Sequence, residues 1–218
     1  MAMKLYSMRV RLTFIEEVLG TASANPNIHS EFIASKAPDA PSMAEEVAAI
    51  GADGVERKEM TVFPRTKDGR PFLWDYQLKG YFKGVCGFLR RVPGTEASKV
   101  KAYKKTLDGL LFPQPRRAFL RLPEEAFDEE SGIGIGNCQR PLRAETAQGE
   151  RVALANSESV PAGTTVEFTI STLSKDLLPF IKEALDYGAL SGIGQWRNSG
   201  KGRFTWEEIA DDSESDAA

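Results

Sequence analysis

The stretch Lys4-Leu5-Tyr6-Ser7-Met8-Arg9-Val10-Arg11-Leu12-Thr13-Phe14 decides the fold class. Apolar Leu5, Val10, Leu12 and Phe14 alternate with polar residues, which predicts a strand buried on one side, with a slip in phase near Ser7. A half-buried opening strand calls for a helical layer to cover it. Asp75 to Arg91 supplies one, with Leu78, Phe82, Val85 and Leu89 recurring at helical spacing and expected to face the core. Asp176 to Tyr187 reads as a second helix, with Pro179 tolerable in its first turn and Gly188 ending it.

Between and after these lie further expected strands: Thr61–Pro64, Phe112–Leu122 (broken by Pro113 and Pro115), Arg151–Leu154, Thr164–Thr172 and Gly202–Ile209. Lys67-Asp68-Gly69-Arg70 and Val160-Pro161-Ala162-Gly163 read as turns. Gly20 to Pro41 reads as a polar loop with a short helix near Ser30–Lys36. Met43–Ile50 reads as a helix capped by Ser42 with Glu45 three residues on. Pro123–Glu130 is acidic and expected to be solvated, and Gly132–Gly136 reads as a flexible loop. The order strand, helix, strands, helix, strand predicts an α+β fold. The expectation is a ferredoxin-like, RNA-recognition-motif-like antiparallel sheet with helices on one face and large loop insertions. The expected organisation is one domain over residues 1–209, with insertions at 15–60 and 123–150, and an acidic tail at 210–218 that is disordered by composition.

Composition narrows the function classes. The chain has 218 residues, 41% hydrophobic and 27% charged, which excludes collagen, coiled coil and wholesale disorder. No apolar run approaches the roughly 18 residues of a membrane helix, so no membrane association is expected. The start lacks a secretory hydrophobic stretch, and Cys86 and Cys138 form neither a disulfide framework nor a CxxC metal site. A reducing, cytoplasmic location is therefore expected, with no metal and no cofactor. Gly132-Ile133-Gly134-Ile135-Gly136 lacks the GxGxxG spacing and leads into Asn137–Arg140 instead of a helix, so it is no dinucleotide fingerprint.

Charge is unevenly placed. Lys and Arg number 28 against 31 Asp and Glu, a net −3, but six acids (Glu207, Glu208, Asp211, Asp212, Glu214, Asp216) follow Arg203. Without them residues 1–206 carry 28 − 25 = +3. Two segments concentrate the positive charge. In Gly192-Ile193-Gly194-Gln195-Trp196-Arg197-Asn198-Ser199-Gly200-Lys201-Gly202-Arg203-Phe204, four glycines let backbone amides approach a polyanion, Arg197, Lys201 and Arg203 add charge, and Trp196 offers a stacking face. On the first helix Lys79, Lys83, Cys86 and Arg90 share a stripe beside Gly80, Gly84 and Gly87, an arrangement suited to a phosphate chain or a close-packed partner. Arg140-Pro141-Leu142-Arg143-Ala144-Glu145-Thr146 and Arg151 read as an irregular basic loop that could also touch RNA.

The loop Gly192-x-Gly194-x5-Gly200-x-Gly202-Arg203 resembles the signature loop of the RAMP superfamily (repeat-associated mysterious proteins), RNA-binding proteins of CRISPR systems built on ferredoxin-like folds. Asp68-Gly69-Arg70-Pro71-Phe72-Leu73-Trp74-Asp75-Tyr76-Gln77-Leu78-Lys79-Gly80 is similar to the G-x-P-x-(I/L)-P-G-S-S-(L/I)-K-G region of RAMP backbone subunits, with Trp74–Gln77 replacing Pro-Gly-Ser-Ser. Val160–Phe168 resembles a hairpin common in the family and reads as structural.

The resemblance implies an RNA-binding backbone subunit of a CRISPR effector complex. It would contact guide RNA through the glycine-rich loop (Gly192, Gly194, Trp196, Arg197, Gly200, Lys201, Arg203), the basic helix (Lys79, Lys83, Arg90) and Arg140 and Arg143. Its partners would be CRISPR RNA and other subunits or copies of itself. Two alternatives stay open. One is a phage-borne, anti-CRISPR-type mimic that binds such a complex, which the net acidic charge favours. The other is an endoribonuclease using His29 as general acid or base; Asp39 is the nearest candidate for the metal-assisted cutting that the family's type III members perform with a loop aspartate.

Overall fold

The computed structural model describes residues 3–24, 60–126, 135–146 and 149–210, with side chains at 142–153 outside the description. The opening stretch forms β1 (Tyr6–Phe14), which buries Met8, Val10, Leu12 and Phe14. The expected phase slip is absent. Ser7 keeps the outward parity of Arg9 and Arg11, and its hydroxyl lies 2.9 Å from that of Ser171; Leu5 precedes the strand and is exposed.

β1 is central because it is paired on both edges. β10 (Thr165–Thr172) runs antiparallel along one side, from Tyr6↔Thr172 to Thr13↔Thr165. β11 (Phe204–Glu208) runs antiparallel along the other, from Val10↔Glu208 to Phe14↔Phe204. The outer edge of β10 takes β6 (Leu111–Gln114) and β7 (Arg117–Arg121), which act as one interrupted strand. Thr169 faces Gln114 while Val166 faces Leu120, so the expected break at Pro115 inserts extra residues there. Buried Pro113 is accommodated because β6 bonds on one side only. β5 (Phe72–Trp74) completes the sheet on β7. The order β11, β1, β10, β6/β7 is the ferredoxin-like arrangement of the α+β class.

Both long helices cover the same face. α1 (Asp75–Leu89) buries Leu78, Tyr81, Phe82, Val85 and Cys86, and Leu89 packs at the margin. Two short helices, α2 (Glu96–Lys99) and α3 (Tyr103–Leu110), follow it; α4 (Leu178–Asp186) buries Phe180, Ile181, Ala184 and Leu185. The Tyr81 hydroxyl ties the two long helices together by donating to the Ala184 carbonyl at 2.7 Å. Phe204 enters between sheet and helices, edge-on to Phe14 at 6.1 Å and 5.4 Å from Tyr81. Gly188 is needed beside it, since a Cβ there would sit 2.3 Å from the Phe204 ring.

The region 136–160 departs from expectation. It is a long hairpin of β8 (Gly136–Thr146) and β9 (Gly149–Val160), paired from Gly136↔Ser159 to Thr146↔Gly149. The irregular loop expected over Arg140–Thr146 is thus strand, as is Gly136 at the end of the loop expected over Gly132–Gly136, and the strand expected at Arg151–Leu154 falls within β9; residues 132–134 lie outside the described residues. The sequence of β8 carries no sustained apolar alternation, so nothing announced that strand. β9 also pairs with β2 (Val18–Leu19) and, in parallel, with β4 (Met60–Val62), which bonds β3 (Ala22–Ser23). The expected helices at 30–36 and 43–50, with His29 and Asp39, lie outside the described residues, as does the tail from 211.

On the open face of the sheet, Arg9, Arg11 and Arg121 converge on Glu167 at 3.3, 2.9 and 3.3 Å, and Arg11 also reaches Glu207 at 2.9 Å. Burial pushes the Glu167 carboxyl up, but the hydrogen bond from Arg11, the charges of Arg121 and Arg11, and the hydrogen bond from Arg9 outweigh it and hold the group below its ordinary value. A depressed carboxyl supplies stability that is present above the unfolded pKa and lost as pH falls through the folded one. Urea midpoints of the wild type should therefore drop between pH 5 and pH 3, and those of Glu167→Gln should be lower at pH 7 and drop less.

Candidate nucleic-acid interface

The glycine-rich loop between α4 and β11 folds back on the corner after β1. The Gly202 amide donates to the Glu17 carbonyl at 2.8 Å and the Ile193 amide to the Gly202 carbonyl at 3.0 Å. A Cβ on Gly192 would lie 2.0 Å from the carbonyl carbon of Gly202, and one on Gly202 1.9 Å from the Ile193 oxygen. These two glycines let one segment cross another, backbone on backbone. Gly194, at positive φ, lies over the Leu19 carbonyl. Gly200, also at positive φ, ends the single 3₁₀ turn Arg197–Ser199.

The loop's charge divides accordingly. Lys201 pairs with Glu17, whose hydrogen bond raises the ammonium above its ordinary value, and Arg203 pairs with Glu16 at 3.0 Å. Arg197 is exposed and reaches α1, its Nη1 3.9 Å from where a Gly84 Cβ would stand. The two segments singled out by sequence thus meet in space.

Trp196 sits beside Arg197 in the left-handed region, at φ 54° and ψ 37°. That conformation costs an L-residue about 1–2 kcal/mol, so surrounding contacts must hold it. Arg140, on β8 and only 7% exposed, lies 5.4 Å from the Trp196 ring centroid. It donates to Gln195 Oε1 at 2.6 Å and to Ser157 Oγ at 3.4 Å. A fixed guanidinium therefore supports the loop tip, and the indole stays 39% exposed above it. Such strain persists only where surrounding contacts hold it, here those of the buried Arg140 guanidinium.

On α1 the expected basic ridge is broken. Lys79 donates to the Asp108 carbonyl at 2.8 Å, Lys83 pairs with the Asp108 carboxylate at 2.8 Å, and Arg90 lies over Tyr103 at 5.0 Å. Cys86 points into the core, where burial pushes its thiol up to about 11. This side of the helix therefore packs on α3 and β6, and Gly87 belongs to it, lying under the Tyr103 hydroxyl. The neighbouring side is bare. A Cβ on Gly80 would have nothing within 4 Å, and one on Gly84 would meet only Arg197. Phe88 continues this row at the same four-residue spacing and is 57% exposed. Sequence reading missed Phe88, although the spacing 80, 84, 88 already placed it beside the glycines. The Arg143 side chain, His29 and Asp39 lie outside the described residues. Among those described, no cluster of His, Cys, Asp and Glu could hold a metal, and no helix is long and apolar enough to cross a membrane.

The glycines should separate by thermal melting. Gly80→Ala, open and mid-helix, should stabilise the fold by about 0.5–1 kcal/mol. Gly192→Ala and Gly202→Ala should lower the melting temperature severely or give insoluble protein, because backbone atoms cannot move aside.

No family model matches the chain, and no curated protein sequence matches it. Among solved structures it is similar to a chain of the type III-B Cmr-beta complex bound to cognate target RNA (TM-score 0.49, 12% identity), covering 95% of this chain and 60% of that one. It is also similar to a chain of a type IV-B CRISPR complex (TM-score 0.49, 13% identity), covering 94% of this chain and 91% of that one.

Proposed function

We propose that the chain is an RNA-binding, RAMP-like protein of the CRISPR effector backbone kind, and that a single RNA strand lies along α1. The reading rests on the row Gly80, Gly84 and Phe88 on the bare side of α1, with Arg197 reaching Gly84 and the exposed Trp196 next to Arg197 in the loop. Bare glycine backbone admits a sugar–phosphate chain closely, Phe88 and Trp196 offer faces for unstacked bases, and Arg197 offers a bidentate phosphate contact. Such stacking is worth about 1–3 kcal/mol per base and is indifferent to sequence, as a protein tracking a guide requires.

Other residues take graded roles. Arg140 positions Trp196 from beneath, while Gly192, Gly194, Gly200 and Gly202 shape the loop that Lys201 and Arg203 pin to Glu17 and Glu16. Lys79, Lys83 and Arg90 lend positive potential beside that row. Exposed ion pairs such as Lys83–Asp108 are worth about 0–1 kcal/mol, so a phosphate can draw Lys83 away from Asp108 at little cost. The partners under this reading are CRISPR RNA and other subunits of an effector complex, or copies of this chain.

A mimic that docks on a CRISPR complex without binding RNA is favoured by one observation: Lys83, Lys201 and Arg203 are already matched by acids of the chain itself. The two readings separate by fluorescence anisotropy with a labelled twelve-nucleotide RNA. RNA binding predicts salt-sensitive affinity that falls about tenfold or more in Arg197→Glu and in Trp196→Ala, with the Arg197→Glu salt slope reduced by about 0.7. Absence of RNA affinity together with co-purification on a CRISPR complex overturns it in favour of the mimic.

A further inference from the structure

We propose that Lys101, Lys104 and Lys105, together with Arg91, form a second phosphate-binding surface at the C-terminal end of α1, where the RNA strand leaves the row at Phe88. The proposal rests on the RNA-binding reading and adds a contact surface that the reading does not contain.

The chain from Arg90 to Leu110, through α2 and α3, concentrates positive charge. Six cations, Arg90, Arg91, Lys99, Lys101, Lys104 and Lys105, stand against two acids, Glu96 and Asp108, so the segment carries 6 − 2 = +4 on a chain whose net charge is −3. Both acids are engaged: Glu96 pairs with Lys99 at 2.6 Å and Asp108 with Lys83 at 2.8 Å. Glu183 reaches in from α4, but its two oxygens accept from the Glu96 and Ala97 amides at 2.8 Å each. Counting Lys83 and Glu183 with the segment leaves the surplus unchanged, 7 − 3 = +4. Arg91, Lys101, Lys104 and Lys105 are exposed, and among the described residues none of the four is in ion-pair contact with an acid.

The fold gains nothing from these lysines where they stand. Leu107 is buried and Tyr103 and Leu110 pack against the core, which anchors α3 by its other side. Lys104 and Lys105 fall in the first turn of α3, beside the positive end of the helix, where a cation is unfavourable and no acid offsets it. Arg90 differs, because it follows the last turn of α1, where a cation is favourable, and rests on the Tyr103 ring. Lys101 is held at the start of α3 by the Thr106 hydroxyl, which donates to its carbonyl at 2.8 Å. Like charges kept close with no acid between them suit a polyanion, whose phosphates take the place of counter-ions.

Packing carries this surface to the row. α3 runs back along α1, with Asp108 at Lys83 and Tyr103 at Gly87 and Arg90. Lys104 precedes Asp108 by four residues and so stands on the side of α3 that Asp108 turns toward α1. Phe88 adjoins Gly87, and Arg90 and Arg91 follow it by two and three residues. From Gly80 to Phe88 the helix rises about 12 Å, which a few nucleotides span. A longer strand continues beyond the row, and at the Phe88 end it meets these cations.

The test uses the full chain and the same twelve-nucleotide RNA. Lys101→Gln/Lys104→Gln/Lys105→Gln is compared with Arg197→Glu and with Lys4→Gln/Lys67→Gln/Lys175→Gln, which removes the same charge from exposed positions elsewhere. Melting temperatures check that each variant is folded. The expected result is an affinity loss of about five- to fiftyfold in the first triple variant, with a salt slope smaller by about 2, three phosphate contacts at about 0.7 each. The control triple variant should stay close to wild type. Wild-type affinity and slope in the first triple variant, beside a loss in Arg197→Glu, overturn this surface and leave the row standing. Equal losses in the two triple variants also overturn it, since the effect is then one of net charge. Loss in the first triple variant with wild-type binding by Arg197→Glu supports the surface and overturns the row. Displacement of the RNA by poly-glutamate at equal charge concentration assigns the surface to an acidic protein and overturns the phosphate assignment. No RNA binding by the wild type overturns both.

Discussion

The crossing of Gly192 over Gly202 is the constraint on which the remaining geometry depends. Backbone meets backbone there at a spacing that no side chain permits. The crossing fixes where β11 begins, and so where Phe204 enters the core between Phe14 and Tyr81. It also fixes the tip of the loop, bringing Arg197 to α1 and forcing Trp196 into a left-handed conformation. The ion pairs to Glu16 and Glu17 and the buried guanidinium of Arg140 hold the strained tip in place. Core and candidate interface are thus two ends of the same short segment.

Under the proposed RNA-binding reading, charge confines binding to one strip of the surface. The open face of the sheet, the surface that a ferredoxin-like fold leaves uncovered, is occupied by Arg9, Arg11 and Arg121 closed on Glu167. Lys201 and Arg203 of the glycine-rich loop are closed on Glu17 and Glu16 in the same way. What faces outward along α1 is a narrow strip: the bare Gly80, Gly84 beneath Arg197, and Phe88. A net charge of −3 argues against a nucleic-acid partner only if charge is spread evenly, and here it is segregated.

Much of the fold was legible in the sequence. The alternation of β1 and the apolar spacing of α1 and α4 are strong local signals, because one side of each element faces the core and the other faces water. The break at Pro115 was legible too, and Pro113 lies in a strand that bonds on one side only. Of the β8–β9 hairpin only Arg151–Leu154 read as strand, because β8 carries no sustained apolar alternation. At the candidate site, the glycines of the glycine-rich loop read as an anion cradle, whereas Gly192 and Gly202 serve a chain crossing. Lys79 and Lys83 read as an open ridge because Asp108, their partner, lies 25 or more residues away. Phe88 was passed over as one more apolar residue on a helix whose core face had already been assigned.

Photocrosslinking tests the central claim most directly. RNA carrying 4-thiouridine at each position in turn, irradiated with the full chain and mapped by peptide mass spectrometry, reports which side chains stack on bases. The account predicts adducts on Phe88 and Trp196, in the peptides that span α1 and the glycine-rich loop. Adducts confined to the open face of the sheet, around Arg9, Arg11 and Arg121, or none at all, would contradict it.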